Sequence, residues 1–238
     1  MALIGFSTGA LALGDFHRAL GILRRKGVRA VELSALRQEE LAPLVAALGD
    51  LDLSEFDYVS FHAPSKLAEG SEQDVLRLLR VVVQKGWGVI VHPEIITDFR
   101  SWAEFDDQLL IENMDKRKAI GRTAIELEYV FARLPRATFC FDIGHAHQVD
   151  PTMTEASMML IRFEPRIRQL HVSEVNTQSK HDPLSVGTLL AFKKVWSLVP
   201  DGTPIILESR VAEDMVENEI DVTQSLFSGH RTSECVAD

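Results

Sequence analysis

The chain has 238 residues, 46% hydrophobic and 25% charged, an ordinary globular composition in a length that buries a core without disulfides. Its net charge of −10 lacks the basic footprint of a nucleic-acid binder, and its two cysteines, Cys140 and Cys235, are too few for a disulfide framework and point to a reducing compartment. No apolar stretch approaches the roughly 20 residues of a membrane helix, and the N-terminal MALIGFSTGALALGDF has no basic segment ahead of its apolar residues, so a cytoplasmic protein is expected.

Short β-branched runs alternate with amphipathic segments along the chain. The first run, Ala2–Ser7, precedes Phe16–Lys26, where Phe16, Ala19, Leu20 and Leu23 share a face, Asp15 is the N-cap and Gly27 the stop. Ala30–Leu33 precedes the helical Gln38–Leu48, and Tyr58–His62 precedes Asp74–Gln84. Gly88–His92 is followed only by Phe99–Phe105, about two turns long. Leu109–Glu112 precedes Arg117–Arg133, and Ala137–Asp142 precedes Thr154–Phe163. Ile167–His171 precedes Thr188–Leu198, and Pro204–Glu208 precedes Ala212–Leu226. Eight such repeats predict an α/β protein closed as a (β/α)8 TIM barrel, with an open doubly wound sheet as the structural alternative. Residues 1–227 are expected to form this single barrel, and 228–238, which show no periodicity, a flexible C-terminal tail.

The residues that carry chemistry fall at the ends of the runs. His62, His92, Glu112, Asp142, His171 and Glu208 each stand at or next to the last position of one, which in a parallel barrel is the catalytic face. Ionisable groups at the ends of apolar strands are costly unless paired or bound to a metal. Imidazoles with carboxylates suit Zn, Mn, Fe or Co. His145 in FDIGH and His181 in SKHDPL lie in the loops after the sixth and seventh runs and extend the set. Arg210 is read either as a holder of an anionic group such as phosphate or as a solvated charge, and Lys180 has the same two readings. Glu32 is read as a capping or surface carboxylate slightly ahead of a direct role. His17 and His230 are read as bland helix and tail histidines, His147 as a loop-surface residue ahead of one facing the site, and Phe61, Trp87 and Trp102 as core before pocket wall. The patterns of dinucleotide, P-loop, serine-hydrolase and zinc-ribbon sites are absent.

Taken in order, FHAPS (61–65), VHPE (91–94), IEN (111–113), FDIGHAH (141–147), LHVSE (170–174), HDPLSVG (181–187) and ILES (206–209) resemble the motifs of the xylose-isomerase-like TIM barrel superfamily. That superfamily includes sugar and sugar-phosphate isomerases and epimerases and the endonuclease IV branch, and the likeness runs from Ile4 to Glu208. The resemblance implies two chemistries. In an isomerase-like site, Glu112, Asp142, His171 and Glu208 hold one divalent metal. Glu112 and Glu208 then move a proton through an enediolate of a small sugar, sugar phosphate or related hydroxy-carbonyl compound, with His145 as a substrate contact; apart from the resemblance, His181 and Arg210 are candidate substrate contacts as well. In an endonuclease IV-like site, His62, His92, His145 and His181 are further ligands, for up to three ions, and the reaction is phosphodiester hydrolysis.

The chain departs from that second branch in loop seven. Ser179 stands where an aspartate precedes the loop histidine, the strand reads VSEVN without an Asn-Asp run, and Ser185 replaces a glycine. The expected function is therefore a metal-dependent isomerase or epimerase of a small molecule, with the multinuclear phosphodiesterase as alternative. Nucleic acid is disfavoured as a partner, and a homo-oligomer is left open.

Overall fold

The computed structural model describes residues 3–226. The tail expected for 228–238, with His230 and Cys235, lies outside the described residues. All eight runs are strands: β1 (Ile4–Ser7), β2 (Ala30–Ser34), β3 (Tyr58–His62), β4 (Gly88–Val91), β5 (Leu109–Glu112), β6 (Thr138–Asp142), β7 (Ile167–Val172) and β8 (Ile205–Leu207). They pair in parallel in chain order, and β8 returns to β1 through Ile4↔Ile205 and Phe6↔Leu207, so the sheet closes and the open-sheet alternative is excluded. Glu174–Val175 and His181–Asp182 form a separate antiparallel pair within the loop after β7.

The two-residue period of a strand decides what the barrel holds. Val89 and Val91, Leu109 and Ile111, and Phe139 and Phe141 belong to the large core between sheet and helices. The residues between them, Ile90, Leu110 and Cys140, pack together in a separate cluster on one side of the barrel interior. Two residues further on, the same inward face ends in His92, Glu112 and Asp142. Inward alternation thus converts the last polar residue of each run into a lining residue of the mouth.

The helices cover the outside, with α1 (Thr8–Ala12), α2 (Phe16–Arg25), α3 (Gln38–Ala47), α4 (Glu72–Val83), α5 (Phe99–Trp102), α6 (Ala124–Arg133), α7 (Ile143–Val149), α8 (Thr154–Phe163), α9 (Val186–Lys193) and α10 (Val216–Gln224) in order. Asp15 caps α2 through Arg18 N, as expected. Phe61 and Trp102 are fully buried core, and Trp87 packs against it. The helix expected over Arg117–Arg133 is corrected. It begins only at Ala124, because Gly121 adopts φ +92° and Thr123 caps the first turn by accepting from Glu126 N. A Thr-x-x-Glu signal was therefore present inside that segment, and residues 113–123 form a loop over the mouth instead. Among the described residues no helix is long and apolar enough to cross a membrane.

Candidate metal centre

Glu112, at the end of β5, is the hub of the mouth. Its Oε2 lies 3.2 Å from His62 Nε2 and 3.1 Å from His92 Nε2. Its Oε1 lies 3.0 Å from His171 Nδ1 and 3.5 Å from His145 Nδ1. Imidazoles from β3, β7 and the segments after β4 and β6 thus face the two oxygens of one buried carboxylate. Burial works to raise the Glu112 pKa, but the charge of His171 and the hydrogen bonds of His171, His62 and His92 hold it well below the usual carboxylate range.

Asp142 closes the next side. It is the N-cap of α7, its Oδ1 accepts from His145 N at 2.6 Å, and its Oδ2 lies 3.2 Å from His145 Nδ1. The Asn113 side chain ties β5 to β6 by donating to Asp142 O at 2.8 Å and accepting from Asp142 N at 2.7 Å. Gly144 lets α7 dock tightly, since a Cβ there would meet Ser173 O at 2.4 Å. His145, expected in a loop, is therefore held rigidly in the first turn of a helix.

Glu208 and His181 form the open edge, at 11% and 23% side-chain exposure against 6% or less for His62, Glu112, Asp142, His145 and His171. His181 Nδ1 is 3.4 Å from Glu208 Oε2 and 2.8 Å from Ser173 Oγ. Burial pushes the pKa values of Asp142 and Glu208 up and those of His92 and His181 down. For His62 burial also acts downward, but the Glu112 hydrogen bond and the charges of Glu32, Glu112 and Glu208 prevail and raise it to about 9.

All eight residues expected as ligands are gathered at this mouth. Ligand atoms lie within 4.8 Å of one another in four overlapping groups: Glu112–Asp142–His171–Glu208, His62–His92–Glu112, Asp142–His145–His181, and His62–His171–Glu208. Asp142 Oδ2, Glu208 Oε2 and His92 Nδ1 are buried without a hydrogen-bond partner. Convergent lone pairs on buried, unpartnered atoms are what a cation would satisfy, so the donor set fits divalent metal.

Three other residues fall differently. Arg210 is exposed at the rim, and its guanidinium makes no hydrogen bond or ion pair among the described residues; only its backbone N–H is engaged, with His181 O. His147 turns to the Phe192 ring, away from the ligand groups. Glu32 is corrected: it is neither a cap nor a surface group but fully buried, with Oε2 2.8 Å from His171 Nε2. Gln169 and Tyr58, which the sequence pattern did not single out, join it; Gln169 Nε2 donates to Glu32 Oε2 at 2.7 Å and Tyr58 Oη donates to Gln169 Oε1 at 2.8 Å. Their inward position two and four residues before a mouth histidine was the available signal. At loop seven, Ser179 Oγ donates to Asp115 Oδ1 at 3.0 Å, so the position of the missing aspartate is turned toward loop five.

The family described as xylose isomerase-like TIM barrel matches residues 99–226, more than half of the chain. Among solved structures, endonuclease IV from Thermus thermophilus is similar at 19% identity and TM-score 0.57, covering 94% of this chain and 98% of that one. A 3-keto-D-glucoside 4-epimerase from E. coli, in apo form, shares 11% identity at TM-score 0.56, covering 95% and 99%. A xylose isomerase domain protein from Alicyclobacillus acidocaldarius shares 12% at TM-score 0.59, covering 93% and 99%. At these identities the likeness is one of fold. No curated protein matches the chain.

Proposed function

The chain belongs to the xylose isomerase-like TIM barrel family, and on that premise we propose that its mouth is a divalent-metal centre for more than one ion, used to hydrolyse a phosphoester of a small molecule. The observation that carries this reading is Glu112. Its Oε2 faces His62 and His92 and its Oε1 faces His171, so the one carboxylate belongs to two overlapping ligand groups. A carboxylate shared in this way is suited to bridging two ions and poorly suited to the proton transfer that an enediolate route asks of it, since its pKa is held low.

Divalent ions bound there would supply Lewis acidity, lowering the pKa of a water and offsetting charge on phosphoryl oxygens. Glu112 and Asp142 would hold them, with His62 and His92 on one flank, His171 and Glu208 at the centre and His145 and His181 on the other. Glu208, on the open edge with Oε2 facing His171 and His181, would act as a deprotonated ligand, its proton displaced when metal binds. His181, lowered by burial, stays neutral near pH 7, so its ring can accept or bind. The net charge of −10 disfavours a long polyanion, so a small phosphorylated molecule is the preferred substrate class.

The isomerase or epimerase reading stays second, favoured by two observations. Glu112, Asp142, His171 and Glu208 are a complete set for one ion, and loop seven carries Ser179 in place of a carboxylate. An assay separates the two. With Zn2+ or Mn2+ added, the protein is expected to release p-nitrophenol from bis(p-nitrophenyl) phosphate or p-nitrophenyl phosphate, to stop when a chelator is added, and to resume on metal return. No release with any ion, together with metal-dependent deuterium uptake at a sugar carbon, would install the second reading.

A further inference from the structure

Below the mouth, the barrel interior is divided. One side is apolar, with Ile90, Leu110 and Cys140 in contact. The other carries a polar stack that starts at Tyr58, at the opposite end of β3 from His62, and passes through Gln169 and Glu32 to His171. Glu32 lies in the middle of β2, is fully buried, and leaves its Oε1 without a hydrogen-bond partner. A buried carboxylate so placed is a cost to folding unless it acts on a neighbour. None of the overlapping ligand groups includes it.

We propose that Glu32 is a positioning residue: it keeps the proton of His171 on Nε2, so that the Nδ1 lone pair is presented to the metal centre. The contacts around Glu32 favour this direction. Tyr58 Oη donates to Gln169 Oε1, which settles the amide with its nitrogen toward Glu32. Gln169 Nε2 has two hydrogens and three neighbours: Glu32 Oε2 at 2.7 Å, His171 Nε2 at 2.8 Å and Cys140 Sγ at 3.6 Å. With its hydrogens on Glu32 and Cys140, His171 Nε2–H is the group that faces Glu32 Oε2 at 2.8 Å. On the other side of the ring, Nδ1 stands 3.0 Å from Glu112 Oε1 and 3.6 Å from Glu208 Oε2. A neutral imidazole with its proton on Nε2 and two carboxylates beyond Nδ1 repels them unless a cation sits among the three. An imidazole with its proton on Nδ1 would satisfy Glu112 but turn the Nε2 lone pair toward Glu32 Oε2 at 2.8 Å, leaving that oxygen with Gln169 Nε2 as its donor. The carboxylate below the ring therefore favours the metal-ready tautomer. The amide of Gln169 cannot pass a proton along the stack, so the stack orients and does not conduct.

This inference rests on the mouth being a metal centre, and the test separates the two. The protein is labelled with 15N-histidine, His171 is assigned by the signals lost in His171→Gln, and Zn2+ alone is added. The zinc-loaded protein is expected to show His171 with its proton on Nε2, and Glu32→Gln is expected to bind Zn2+ about 10- to 100-fold more weakly. A proton on Nδ1 in the zinc-loaded protein, or an unchanged Zn2+ affinity in E32Q, overturns the role of Glu32 alone. Failure of the unsubstituted protein to bind Zn2+ overturns both readings. The tautomer is read on the unsubstituted chain, so the claim is tested even if E32Q does not fold.

Discussion

Glu112→Gln is expected to reduce phosphoester turnover to the background of the assay and to lower the bound metal to one ion per chain or fewer. The substitution keeps the shape of the side chain and removes its charge. One carboxylate oxygen becomes an amide nitrogen, a donor that can no longer face ring nitrogens requiring an acceptor. Because Glu112 belongs to two of the overlapping ligand groups, the loss is not confined to one ion. In the metal-free protein at pH 6 the change also strands protonated His62 and His171 in the interior, and breaking a buried pair in this way costs about 3 kcal/mol or more. Urea unfolding measures that loss. The same comparison at pH 9.5, above the His62 value of about 9, should show a smaller difference. Turnover and metal content equal to those of the unsubstituted protein would remove Glu112 from the centre.

Without metal, thermal stability is expected to fall as pH rises from about 6.5 to 9, and with saturating Zn2+ the fall should be absent. Burial opposes protonation of His62, His145 and His171, but the charges of Glu112, Glu208 and their neighbours raise all three, His62 to about 9. A histidine with a folded pKa above its unfolded value contributes stability that is complete below the unfolded value and lost as pH passes the folded one. For His62 that window runs from its ordinary 6.5 to about 9, worth about 3 kcal/mol at ~1.4 kcal/mol per unit, or roughly 10 °C in a chain of this size. Asp142 and Glu208, raised by burial, act in the same direction at lower pH, because the fold resists their ionisation. Glu112 acts oppositely: its stabilisation is present above the ordinary carboxylate range and is lost as pH falls through its depressed value. Bound cations replace the protons, so zinc affinity rises over the range in which the metal-free protein weakens. Calorimetry at pH 6.5 and 9, with and without Zn2+, reads both. A metal-free protein equally stable at the two values would show that Glu112 does not hold a charged His62.

The strands and the mouth were legible because both follow from one period. Alternation places every second residue of a parallel strand inside the barrel, so a polar residue that ends an apolar run must line the opening, as Glu112, Asp142, His171 and His62 do. The same logic applied one layer down would have found Glu32 and Gln169, but a lone polar residue inside a run reads as a surface position when its partner is more than a hundred residues away. The helix expected over Arg117–Arg133 shows a different limit. Arg117–Lys118 is compatible with helix by propensity, but Gly121, the Thr123 cap and the hydrogen bond of Asp115 to Ser179 in loop seven hold the segment open. Helix α7 was hidden because its sequence, IGHAHQV, is short and poorly amphipathic; it exists because Asp142 caps it and Gly144 permits its approach to the segment after β7. The choice of reaction was the least legible, since the likeness in the motifs is shared by proteins of different chemistry and turns on how the ligand groups overlap in space.

That overlap is open to direct measurement. Elemental analysis of the protein equilibrated with excess Zn2+ and freed of unbound ion is expected to give at least two ions per chain, whereas E112Q should retain one at most. A ratio that saturates at one in the unsubstituted protein, or at zero, would contradict a shared Glu112 bridge and with it the multinuclear centre.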